Sequence, residues 1–129
     1  MKTSAIYKLF TVICFVAVVT VSSGCRKEGL GGNGSISGTV YHHSVIIPDC
    51  DVYIKFNATE FPGESPALYD SSVKADKNGE YVFPKVYKGD YYLYGVGYDK
   101  NIMQIVRGGV HVKAKRNGSV TRDVPVTED

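Results

Sequence analysis

The sequence predicts an all-β fold, a seven-stranded Greek-key β-sandwich, and three observations carry that expectation. Apolar and polar residues alternate in short runs, most clearly Cys50, Val52, Ile54 and Phe56 against Asp51, Tyr53, Lys55 and Asn57. Turn-forming residues separate the runs at regular intervals, above all Asp76-Lys77-Asn78-Gly79 and Gly89-Asp90. No stretch beyond the N-terminal apolar segment keeps the helical period. Short strands bounded in this way over about 100 residues are the signature of a sandwich.

The chain has 129 residues, enough for one domain. Lys2 and Lys8 precede an apolar run over residues 9–21, and the small residues Ser22-Ser23-Gly24 follow it. That order reads as a secretory signal over residues 1–24, too short for the roughly 18–20 apolar residues of a spanning helix. Residues 25–34, rich in glycine, read as a flexible tether, and the folded domain is expected over residues 35–129. Strands are expected at residues 36–41, 50–56 and 69–75, and at 81–83 and 91–98 on either side of the Gly89-Asp90 turn. Two more follow around Val110 and Val112 and over residues 119–126. Arg116-Asn117-Gly118 looks like a hairpin turn between these last two. In the final run Arg122 falls on the same face as Val120, Val124 and Val126, so a bulge or a frayed start is expected there.

Charge and cysteine content narrow the function. Lys and Arg number 15 and Asp and Glu 13, so loss of Lys2 and Lys8 with the signal leaves 15 − 2 = 13 against 13. A net charge near zero argues against a nucleic-acid partner. Cys14 leaves with the signal and Cys25 is expected to carry lipid, so Cys50 has no partner and no internal disulfide staples the fold.

Ser22-Ser23-Gly24-Cys25 resembles a bacterial lipobox, which implies cleavage before Cys25 and its lipidation. The resemblance implies a lipoprotein of the cell envelope, anchored in the outer membrane through its N-terminal lipid. A second resemblance lies in the domain. Ile36-Ser37-Gly38-Thr39-Val40, Pro48-Asp49-Cys50-Asp51-Val52, the run 76–83 and Gly89-Asp90-Tyr91-Tyr92-Leu93 together resemble the carboxypeptidase regulatory-like domain. That family implies a transthyretin-like sandwich that supports or binds neighbours, with an envelope protein or a glycan as partner, no cofactor and no enzymatic activity. A glycan-binding surface lipoprotein is one alternative. A transthyretin-like hydrolase is another, although the Tyr-Arg-Gly-Ser tail of those enzymes is replaced here by a chain end of Val124-Pro125-Val126-Thr127-Glu128-Asp129.

The candidate chemical groups are few. His42 and His43 are adjacent, so on an unbroken strand they point to opposite sides and cannot share a metal; with His111 they are the only histidines. No metal and no catalytic residue is therefore assigned. Asp76-Lys77-Asn78-Gly79 lacks the further ligands of a calcium loop and reads as a structural turn. Cys50 lies on an apolar face and reads as buried and inert. Arg107, Lys113, Lys115, Arg116 and Arg122 read as a solvated basic edge. Tyr91 is expected inward as a tyrosine corner, which places Tyr92 and Tyr94 outward beside Tyr53 as possible partner contacts. Phe61, on the loop over residues 57–67, is the fourth candidate contact.

Overall fold

The computed structural model describes residues 28–129. The expected signal segment and lipidation site, Cys25, lie outside these residues. In chain order the strands are β1 (Leu30–His42), β2 (Val45–Ile46), β3 (Asp51–Phe56), β4 (Ser71–Lys74) and β5 (Glu80–Val86). They continue with β6 (Gly89–Asp99), β7 (Gln104–Ala114), β8 (Ser119–Thr121) and β9 (Val124–Pro125). One 3-10 turn (Pro66–Leu68) is the sole helical element among the described residues.

Two sheets form a sandwich. One is antiparallel throughout, in the order β4-β3-β6-β7. The other is assembled on β1, which pairs antiparallel with β2 and β5 and parallel with β8 and β9. The N–H and C=O of one strand residue point to the same side, so hydrogen bonds assign the edges. Val40 donates to Gly79 and accepts from Ile47, which places β5 and β2 on one edge of β1. Ser37 and Tyr41 accept from Arg122 and Val126, which places β8 and β9 on the other.

Period-2 alternation fills the space between the sheets. Ile36 and Val40 of β1, Tyr81, Phe83 and Val86 of β5, and Val124 meet Val52 and Ile54 of β3 and Tyr91 and Leu93 of β6. Cys50 is among the buried residues, its thiol directed at the Ile47 carbonyl at 3.2 Å. Burial pushes that thiol's pKa up to about 12, which leaves it protonated and unreactive. The Asp76 turn is structural, because its carboxylate accepts the N–H groups of Asn78 (2.8 Å) and Glu80 (3.0 Å). Gly79 closes the turn at φ 72°, a conformation that disfavours any side chain. Tyr91 is the expected corner: its hydroxyl donates to the Tyr87 carbonyl at 2.6 Å and accepts the Gly29 N–H at 2.8 Å.

Three expectations need correction. The glycine-rich tether is shorter than the sequence implies, because β1 begins at Leu30, and Leu30 and Gly34 both register with Val86 of β5 across an irregular step. A Cβ on Gly32 or Gly34 would collide with the carbonyl of Val86 or of Lys115, so these glycines serve close packing. The turn at Arg116-Asn117 does not make a hairpin. The chain leaves β7 there, crosses to the other sheet and pairs β8 in parallel with β1. β7 itself runs over Gln104–Ala114, well beyond the pair of valines that marked it. The single last strand expected over residues 119–126 is interrupted at Arg122, the irregular position, into β8 and β9.

Candidate functional site

Alternation along β6 turns Tyr92 and Tyr94 to the outer face of the four-stranded sheet, and the β3 register sets Tyr53 directly opposite Tyr94. The loop between β3 and β4 then folds back over this face. Asp70 fastens its end, accepting the Phe56 N–H at 2.7 Å and lying 3.4 Å from the Lys55 ammonium. Tyr69 donates to the Gly63 carbonyl at 2.8 Å, which closes the loop on itself. As a result Tyr69 stacks on Tyr94 with centroids 5.6 Å apart and planes 9° from parallel. Phe61 leans on Tyr94 at 5.3 Å and on Tyr92 at 6.0 Å.

All four candidate contacts of the sequence therefore belong to one aromatic cluster, but their exposures differ from expectation. Tyr94 is only 2% exposed, because the loop covers it. Tyr53 and Tyr92 are half-buried, and Phe61, at 49% exposure, is the ring most open to solvent. Nothing in the sequence singles out Tyr69, which reads as the first residue of the strand over 69–75 with no motif around it, whereas β4 begins only at Ser71.

Beside the cluster lies a cleft of about 270 Å³ lined by Phe61, Tyr92, Tyr94, Glu64, Arg107 and Asp129, among others. Its floor includes Gly109, where a Cβ would meet the Tyr92 ring at 2.5 Å; the bare backbone lets that ring lie across β7. Arg107 stands on β7 facing outward. Its guanidinium lies 3.5 Å from Glu64 and 3.8 Å from Asp129, and its backbone exchanges two 2.9 Å hydrogen bonds with Thr127. Arg107 thus departs from the solvated basic edge and joins the cleft. Among the described residues the Tyr94 hydroxyl and Arg107 Nε, both buried there, have no hydrogen-bond partner of good geometry, although the Arg107 side chain lies beside that hydroxyl. Burial holds the Tyr94 hydroxyl protonated, its pKa raised despite the opposing pull of Arg107.

The histidines fall elsewhere. His111 sits opposite Tyr92 and contacts Asp90 at 2.8 Å. His42, 4% exposed, places Nδ1 2.6 Å from Asp99 and Nε2 against a Glu128 carboxylate oxygen. Tyr92 and Asp99 are seven steps apart on β6, about 23 Å at the usual strand rise, so His111 and His42 do not share a site. The Asp99 hydrogen bond raises the His42 pKa against the effect of burial, and His42 in turn holds Asp99 below its usual value. The Glu128 pKa is lowered as well, first by its own backbone N–H and then by His42. Stabilisation from the raised histidine is full below its ordinary 6.5 and is lost as pH rises through the folded value. Stabilisation from the two carboxylates is full above their ordinary 3.8 and 4.5 and is lost on acidification.

Fold and site together define a β-sandwich with an aromatic, arginine-bearing cleft on the outer face of one sheet. Comparison with family models, with curated proteins and with solved structures finds no match to this chain.

Proposed function

We propose that this chain is a non-enzymatic binding module, held by lipid on Cys25 at the bacterial cell envelope, on the outer membrane, with a glycan as its ligand. The resemblances to a lipobox and to carboxypeptidase regulatory-like domains support the address and the accessory role. The observation that carries the binding role is the meeting of the exposed Phe61 and half-buried Tyr92 rings with the Arg107–Glu64–Asp129 charge cluster in one cleft. A sugar ring presents both an apolar C–H face and a rim of hydroxyls. Phe61 and Tyr92 offer flat surfaces for the first; the partly exposed Arg107 guanidinium offers donors for the second, with Glu64 and Asp129 as acceptors. The cleft falls just under the roughly 300–1,000 Å³ of drug-sized sites, which suits one ring of a longer chain.

Phe61→Ala tests the cleft. A ring 49% exposed contributes little to the core, so its removal should cost about 1 kcal/mol or less, the worth of its aromatic contacts. Capture on a glycan array should fall to background. A large drop in melting temperature with capture intact would overturn the reading. The anchor is tested separately: the protein made in a lipoprotein-processing bacterium should incorporate labelled palmitate and partition into detergent, and Cys25→Ala should be soluble. Release of the wild type free of lipid would refute both anchor and location.

A further inference from the structure

The exclusion of a shared metal for His42 and His43 rests on their lying along an unbroken strand, and the strand is broken there. β1 ends at His42 and pairs with Val45 of β2, leaving His43-Ser44 as a two-residue hairpin loop. His43 takes φ 55°, a left-handed conformation uncommon for non-glycine residues but one that His, like Asn and Asp, adopts more readily than most. The reversal swings its ring onto that of His42, with centroids 4.5 Å apart. Glycine would make this turn with less strain still. Ligand atoms of His42, His43 and Glu128 all lie within 4.8 Å of one another.

The surroundings complete the arrangement. Asp99, 3% exposed, accepts from His42 Nδ1 through one oxygen at 2.6 Å. Its other oxygen accepts the Asn101 N–H at 2.8 Å, so the carboxylate is fixed before it orients the imidazole. A carboxylate on one ring nitrogen sets the tautomer and leaves the other nitrogen's lone pair for a metal. Here that other nitrogen is Nε2, which meets a Glu128 carboxylate oxygen, so a bound ion would displace the proton between them.

We propose that His42 Nε2, His43 and Glu128 form a binding site for a divalent first-row metal ion of the zinc type, with Asp99 orienting His42 from behind. Two imidazoles and one carboxylate are a known donor set for zinc, and three protein ligands leave a fourth position open. Metal–ligand bonds of about 2.0–2.2 Å put tetrahedral ligand atoms about 3.3 Å apart, so side-chain shifts of about 1 Å close the site. Glu128 belongs to the C-terminal segment that follows β9, while the histidines end β1. The ion therefore clips the end of the chain to the first hairpin.

The test is a titration of the untagged full chain in detergent, stripped with chelator, with Co²⁺ as the optical probe and Zn²⁺ as competitor. One equivalent of Co²⁺ should give saturable visible d–d bands that Zn²⁺ removes, and either ion should raise the melting temperature. His43→Gly relieves the left-handed strain, so the metal-free variant should melt no lower than wild type while the bands disappear. Glu128→Gln should lose them as well. Asp99→Asn should keep the site but weaken it by about 10–100-fold. Absence of saturable binding in the wild type, or binding that survives both His43→Gly and Glu128→Gln, would overturn the assignment. His43→Asn, which also tolerates the turn, serves in place of the glycine variant if that protein proves unstable.

Discussion

Gly38→Val should lower the stability of the domain by about 3 kcal/mol or more, at the upper end of what overpacking costs. Gly38 lies on the buried face of β1, and a Cβ there would fall far inside van der Waals contact distance of the Arg122 carbonyl oxygen, with the Tyr81 hydroxyl 3.0 Å away. Neither neighbour can retreat cheaply. Arg122 is held by its N–H on the Ser37 carbonyl at 2.7 Å, and its own carbonyl accepts from Tyr81. The valine must therefore lift the strap between β8 and β9 away from β1. Equilibrium urea unfolding of wild type and variant measures the loss; an unchanged midpoint would mean that the strap does not press on β1 as described.

Tyr91→Ala should cost about 3–5 kcal/mol, because it empties a fully buried aromatic position packed edge-on against Phe56 at 5.9 Å. Tyr91→Phe separates the two parts of that effect. It keeps the ring but leaves the Gly29 N–H and the Tyr87 carbonyl without their shared partner, for about 1–3 kcal/mol. The Gly29 bond is the more informative of the two, since it ties the first residues of the domain to its centre. Proteolysis near residue 29 should accelerate in Tyr91→Phe ahead of cleavage elsewhere. A phenylalanine variant as stable and as resistant as wild type would remove the hydroxyl clamp.

What could be read from the sequence was whatever depends on local pattern. The faces of β3, the Asp76 turn, the Tyr91 corner and an irregularity at Arg122 follow from alternation and turn chemistry within a few residues. What could not be read depends on contacts between distant segments. Gly32 and Gly34 look like linker because their role is to leave room for carbonyls more than fifty positions away. Tyr94 alternates outward like an exposed residue, and only the fold-back of the loop through Tyr69 and Asp70 buries it. Arg107 enters the cleft through Glu64 and Asp129, which no sequence spacing connects to it. His43 was dismissed on a sound rule about strands, and a single positive φ removed the premise.

The parallel pairing of β1 with β8 has a consequence for how fast this domain is made. Ser35 meets Ser119 across 84 positions, so the first strand acquires its second edge only after nearly the whole chain has emerged. Loop-closure entropy must be met before such contacts repay it, and sandwiches rich in them fold in milliseconds to seconds, where helical bundles take microseconds to milliseconds. During that interval β1 presents an unpaired edge of N–H and C=O groups to any neighbouring strand. Refolding followed by stopped flow should place this chain among the slow two-state folders. Crowded nascent chains would meet their greatest risk of strand exchange at that one edge, before residues 119–126 arrive to close it.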